Sequence, residues 1–106
     1  MTTRLLPVAD LPEGRGLRVE VKGHRLAVFR IGEDVYAVGD RCSHAEASLA
    51  EGEVFATEVE CPRHGSEFDL RTGQPRSLPA TSPIPVYRVA VVDGDVHVEI
   101  PGRDQA

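Results

Sequence analysis

No run of about 18 consecutive apolar residues occurs anywhere in this 106-residue chain, so nothing in it predicts a membrane-spanning helix. The opening Met1-Thr2-Thr3-Arg4-Leu5-Leu6-Pro7 lacks the long apolar core of a secretion signal, and the expected compartment is the cytoplasm. Basic blocks are missing as well. With a net charge of −5 and no cluster of Lys or Arg, the chain has no stripe suited to tracking phosphates, which argues against nucleic acid and anionic membrane as partners. Internal repeats and interior linkers are absent, and only the stretch 102–106 reads as a loose tail. Cysteine is scarce, with two residues. A chain of this length buries enough surface to fold without metal or disulfides, so any metal-ligating pattern is read first for its chemistry.

The composition, 41% hydrophobic and 27% charged, is that of a folded soluble protein, and the length predicts a single domain over 1–106. Apolar alternation or short apolar runs mark strands at 17–21, 26–29, 35–38, 54–59, 86–92 and 96–100. Turn residues separate them: Lys22-Gly23-His24, Gly32-Glu33-Asp34, Arg71-Thr72-Gly73 and Asp93-Gly94-Asp95. Helical patterning is confined to 9–12 and 45–51, enough for a turn or two. The stretch 74–85 holds Pro75, Pro79, Pro83 and Pro85, so it must be loop or sheet edge. This rhythm predicts an all-β protein, a small antiparallel sandwich or barrel.

Both cysteines lie within three residues of a histidine, in Cys42-Ser43-His44 and Cys61-Pro62-Arg63-His64. Two tight loops of this kind can bring two thiolates and two imidazoles to one point, a donor set that suits zinc or an iron-sulfur cluster. Gly39-Asp40 before the first pair and Gly65 after the second are expected to give the loops backbone freedom. A Cys42–Cys61 disulfide, a pair of inert core cysteines and a structural zinc site in an interaction module are the competing readings. Zinc sites usually group Cys with Cys and His with His, whereas each loop here carries one of each.

The stretch Cys42-Ser43-His44, together with Cys61-Pro62-Arg63-His64-Gly65-Ser66-Glu67-Phe68-Asp69, resembles the two cluster-binding boxes of the Rieske family. The following Asp69-Leu70-Arg71-Thr72-Gly73 and a later proline-bearing loop, Leu78-Pro79-Ala80, continue the pattern, and the likeness extends over nearly the whole chain. The resemblance implies a Rieske fold, an antiparallel β-sandwich base with a small cluster-binding subdomain at about 40–85. It implies one 2Fe-2S cluster per chain, with Cys42 and Cys61 on the inner iron and His44 and His64 on the outer, solvent-facing one. Ala47 and Arg63 stand where the respiratory and photosynthetic branch of the family carries a further disulfide. Terminal oxygenase subunits join their Rieske domain to a large catalytic domain for which this chain has no room.

The chain is therefore most similar to the free ferredoxins of bacterial ring-hydroxylating dioxygenases. The function this implies is one-electron transfer from a flavoprotein ferredoxin reductase to a terminal oxygenase, by a monomer with no catalytic residue of its own. A redox or accessory subunit of nitrite reductase or of iron-sulfur assembly is the alternative. Ser66 in the family can donate a hydrogen bond to a cluster sulfur; otherwise it satisfies loop backbone. High-potential members place a Tyr two residues after that Ser, where this chain has Phe68. Asp69 is expected to cap the turn through Gly73. Pro62 and Pro79 are expected to stiffen loops and exclude water. Glu46, Glu51, Glu53, Glu58, Glu60 and Glu67 surround the boxes and are read either as an acidic docking rim or as a solvated strand face. His24 and His97 are left out of the site.

Overall fold

Four hairpins with two-residue loops account for most of the fold, and they are built where the chain can take a left-handed turn. The computed structural model describes residues 2–42, 47–63, 65–76 and 82–100. Its strands are β1 (Thr2–Pro7), β2 (Gly16–Val21), β3 (His24–Ile31), β4 (Asp34–Gly39), β5 (Val54–Phe55), β6 (Glu58–Glu60), β7 (Glu67–Asp69), β8 (Val86–Tyr87), β9 (Val89–Val92) and β10 (Asp95–Glu99). Val21 pairs with His24 across Lys22-Gly23, and Val92 with Asp95 across Asp93-Gly94; each loop residue has positive φ, as a tight primed turn requires. Helix among the described residues is limited to 3-10 turns at Val8–Asp10 and Leu49–Glu51.

The strands form three antiparallel sheets, in the orders β1-β10-β9, β2-β3-β4-β8 and β5-β6-β7. The middle sheet is covered on both sides. Leu26 and Val28 of β3 turn to one core with Leu11, Ala37, Val96 and Val98, while Ala27 and Phe29 turn to another with Val38, Leu49, Val59 and Phe68. This explains the unbroken apolar run Leu26-Ala27-Val28-Phe29: a strand buried on both faces has no polar alternate positions. The first core fills the sandwich base; the second lies under β5-β6-β7 and contains both cysteines.

Two strand expectations need correction. The stretch 54–59 is a hairpin, with Phe55 paired to Glu58 and Ala56 at φ 56°. Alanine in that region is uncommon, so nothing local marks the turn. The stretch 86–92 is interrupted at Arg88: β8 pairs with β4 in the middle sheet, and β9 pairs with β10 in the outer one. The chain changes sheets there, as strands do at sandwich corners. Strands β1 and β7 fall outside the apolar-run pattern and are held by pairing to β10 and β6. The proline-rich stretch joins no strand among its described residues, apart from one bridge between Pro75 and Phe68. The tail at 102–106 lies outside the described residues.

Candidate metal centre

The first cysteine is presented by the end of β4. Gly39 donates its N–H to the Pro85 carbonyl at 2.9 Å, and a Cβ on it would sit 2.8 Å from Pro85 Cγ, so only glycine allows this approach. Asp40 follows, fully buried. One of its carboxylate oxygens accepts from Ser48 Oγ at 2.8 Å and from the Ala50 N–H at 2.9 Å, and the other from Arg25 Nε at 3.3 Å. Its carbonyl takes the Leu49 N–H at 2.6 Å. The expectation of backbone freedom at Gly39-Asp40 is thus reversed: the pair locks the end of β4 to β3, to Pro85 and to the 3-10 turn. Cys42 then donates its N–H to the Ala47 carbonyl at 3.1 Å, which ties the two residues together.

The second cysteine leaves β6 in a similar way. Its N–H donates to the Ser66 carbonyl at 2.7 Å, and Gly65 returns an N–H to the Cys61 carbonyl at 2.9 Å. Gly65 has φ 77°, as expected of a glycine that turns the chain back into β7. Pro62 and Arg63 form the exposed turn. Ser66 and Phe68 are fully buried. Gly52 is needed because a Cβ there would collide with the Glu60 carbonyl next to Cys61.

Cys42 and Cys61 are 3% and 1% exposed and share one apolar core with Leu49, Phe68, Leu70 and Ile84, and they form no disulfide. Hydrocarbon tolerates a pair of thiolate ligands where a metal takes up their charge, so this donor set fits a metal or cluster. His44 and His64, expected as the other two ligands, lie outside the described residues, as do Glu46 and the Leu78-Pro79-Ala80 loop. Among the described residues no group of three or more metal-ligating side chains forms. The two sulfurs are the part of the site on view.

Asp69 caps its turn as expected. Its side chain accepts from the Arg71 N–H at 2.8 Å and from the Arg71 guanidinium at 3.3 Å, and its carbonyl takes the Gly73 N–H at 2.7 Å. The Arg71 side-chain hydrogen bond holds the Asp69 carboxyl below the usual carboxylate range, outweighing burial. Of the glutamates around the two boxes, Glu51 and Glu53 are exposed, Glu58 is tied to Arg76 at 3.2 Å, and Glu60 faces Glu67 across β6–β7. His24 lies against Tyr87 at 3.3 Å and His97 sits on β10, both in the base sheets.

Residues 2–88 match the family model for the Rieske [2Fe-2S] domain. The chain is 47% identical over 97 residues to the 3-phenylpropionate/cinnamic acid dioxygenase ferredoxin subunit of Escherichia coli K12, covering 90% of each chain. Among solved structures, the ferredoxin of carbazole 1,9a-dioxygenase from Nocardioides aromaticivorans IC177 superposes with a TM-score of 0.89 at 38% identity, covering 92% of this chain and 96% of that one. A chain from a complex of reduced oxygenase and oxidized ferredoxin in carbazole 1,9a-dioxygenase matches with a TM-score of 0.86 at 40% identity, over 92% and 91% of the two chains. Two buried cysteines on paired loops beneath a three-stranded sheet, the all-β sandwich beside them, and these matches over most of the chain lead to one conclusion: the chain belongs to the Rieske [2Fe-2S] domain family.

Proposed function

We propose that this protein is the ferredoxin of a ring-hydroxylating dioxygenase system, a one-electron carrier that takes its electron from a flavoprotein reductase and passes it to a terminal oxygenase. One 2Fe-2S cluster per chain is held by Cys42 and Cys61 on one iron and by His44 and His64 on the other. The observation that carries this reading is the placement of two undisulfided cysteines, each heading a loop closed by its own amide hydrogen bond, in one apolar core. When bound, the cluster supplies a one-electron couple. The chain's own residues shield it: Leu49, Phe68 and Ile84 exclude water from the sulfur side, and Asp40 and Gly65 set where the loops return. The imidazoles of His44 and His64 are the exit for the electron in this reading.

The chain works as a single domain with a cluster-binding subdomain at about 40–85, as a monomer in the cytoplasm. No described helix is long and apolar enough to cross a membrane. The test is metal and sulfide analysis of the purified protein. About two irons and two acid-labile sulfides per chain, with red-brown colour, are expected. Colourless protein with one zinc and no sulfide would overturn the reading in favour of a zinc module.

A further inference from the structure

Two sets of arginines stand out in this acidic chain. Arg4, Arg25, Arg30, Arg71 and Arg76 each face a carboxylate, namely Asp95, Asp40, Glu13, Asp69 and Glu58. Arg15, Arg18 and Arg63 have no carboxylate partner among the described residues, and they converge. Arg18, Arg25 and Arg63 line an open cleft of about 390 Å³, and Arg15 and Arg18 line an adjoining hollow of about 410 Å³. Glu51 is the only acidic side chain among the described lining residues of either. The cleft also includes Ala47 and Ser48 from the end of the first loop and Pro62 from the second, so whatever fills it touches both cysteine-bearing loops.

Arg18 projects from the β2–β3 face that carries Ala27, its cross-strand partner, and hence toward the cysteine-bearing core. Arg25 is held through Nε by buried Asp40, which fixes the guanidinium at the cleft wall before anything binds and lowers the ordering cost of binding. Guanidinium groups offer forked donors matched to carboxylates. We propose that this cleft is a docking groove for a carboxylate-rich segment of the redox partner protein, seated beside the loops through which the electron leaves. The proposal rests on the electron-carrier reading for its purpose, but not for its test.

Fluorescein-labelled decaglutamate titrated into the holoprotein, followed by anisotropy, reads the groove directly. Binding is expected at ~20 mM salt and should weaken strongly by ~0.3 M, because exposed charges are then screened within a few ångström. Arg18→Glu should weaken binding about five-fold or more, while Arg88→Glu, an equal change in net charge at a residue that lines neither hollow, should change it by less than about two-fold. Arg15→Glu, at an exposed position outside both cysteine loops, should repeat the Arg18 effect and covers the case of a misfolded Arg18 variant. Equal weakening by Arg88→Glu, no binding at low salt, or tighter binding of a decathymidylate than of decaglutamate would each overturn the groove. Loss of iron and sulfide would instead remove the electron-carrier reading, so the two failures are distinguishable.

Discussion

The two cores of this protein are built by different means. The base core, between β1-β10-β9 and β2-β3-β4-β8, is composed of Leu11, Val21, Leu26, Val28, Ala37, Val96, Val98 and Ile100. Nearly every one of them is placed by strand pairing. The second core adds short strands and loops to Ala27, Phe29 and Val38 of the middle sheet, holds both cysteines, and borders the three polar residues that are buried among those described, Asp40, Ser66 and Asp69. In the base, register and side-chain alternation do the positioning; around the cysteines, single residues do it, each through a particular hydrogen bond or close approach. A base strand can absorb a conservative change among many equivalent contacts. The cysteine loops cannot, because each closure depends on one or two particular backbone hydrogen bonds.

The largest expected effect breaks the second core while leaving the first. Cys61→Ser should lower iron and sulfide from about two per chain to near zero, since one iron loses a thiolate. Amide exchange in β2, β3 and β4 should remain slow in the same variant, because their ladder and the base core do not involve Cys61. Rapid exchange throughout would show that the base depends on the cluster.

Leu26→Ala strikes the base instead. Its side chain is fully buried, and removing it should cost about 2–5 kcal/mol in denaturant unfolding, while the visible spectrum of the folded protein stays unchanged. Asp40→Asn tests how far one polar residue governs the loop after β4. The charge that binds Arg25 is lost while the shape is kept, so a destabilisation of about 2 kcal/mol is expected, together with faster cluster loss on dilution. A stability and cluster lifetime equal to wild type would mean that Gly39 and Pro85 suffice to hold the loop.

Acid should act on the turn after β7 through Asp69. Its carboxyl is held down by Arg71 in the folded state, so its contribution is fully present above the ordinary Asp range near 4 and is lost as pH falls through the lower folded value. Between pH 5 and 3, Asp69→Asn should therefore lose stability less steeply than wild type, by about 1 kcal/mol or less over the range. Parallel curves would assign the acid sensitivity to other carboxylates.

The smallest effect concerns the redox couple. Phe68 is fully buried and offers no hydrogen-bond donor where high-potential relatives have a Tyr. The potential should lie toward the low end of the family's range of about −150 to +300 mV. Phe68→Tyr should raise it by tens of millivolts, since a donor to sulfur favours the more negative reduced state, at about 59 mV per 1.4 kcal/mol. A wild-type value above about +100 mV would contradict the assignment.

Much of this was legible from the chain alone, for identifiable reasons. Strands β2, β3, β4 and β10 were recognisable because a half-buried or fully buried strand must alternate or run apolar, and Lys22-Gly23 and Asp93-Gly94 are turn residues on local grounds. The Cys-His pairs stood out because thiol and imidazole at such spacing have few structural uses. Asp69's cap was readable because Asp binds amides two residues on. What depends on distant parts of the chain was not readable. Ala56 turns because β6 folds back on β5, Arg88 interrupts a strand because two sheets meet there, and Gly52 is required by the Glu60 carbonyl group that packs against it. Asp40 looked like a loop residue until β3 and the 3-10 turn closed around it. Arg18 and Arg63, 45 positions apart, became neighbours only in the folded chain. Local preference determined most of the strands and set out the Cys-His pairs; the meeting of sheets and loops, a long-range property of packing, decided their surroundings.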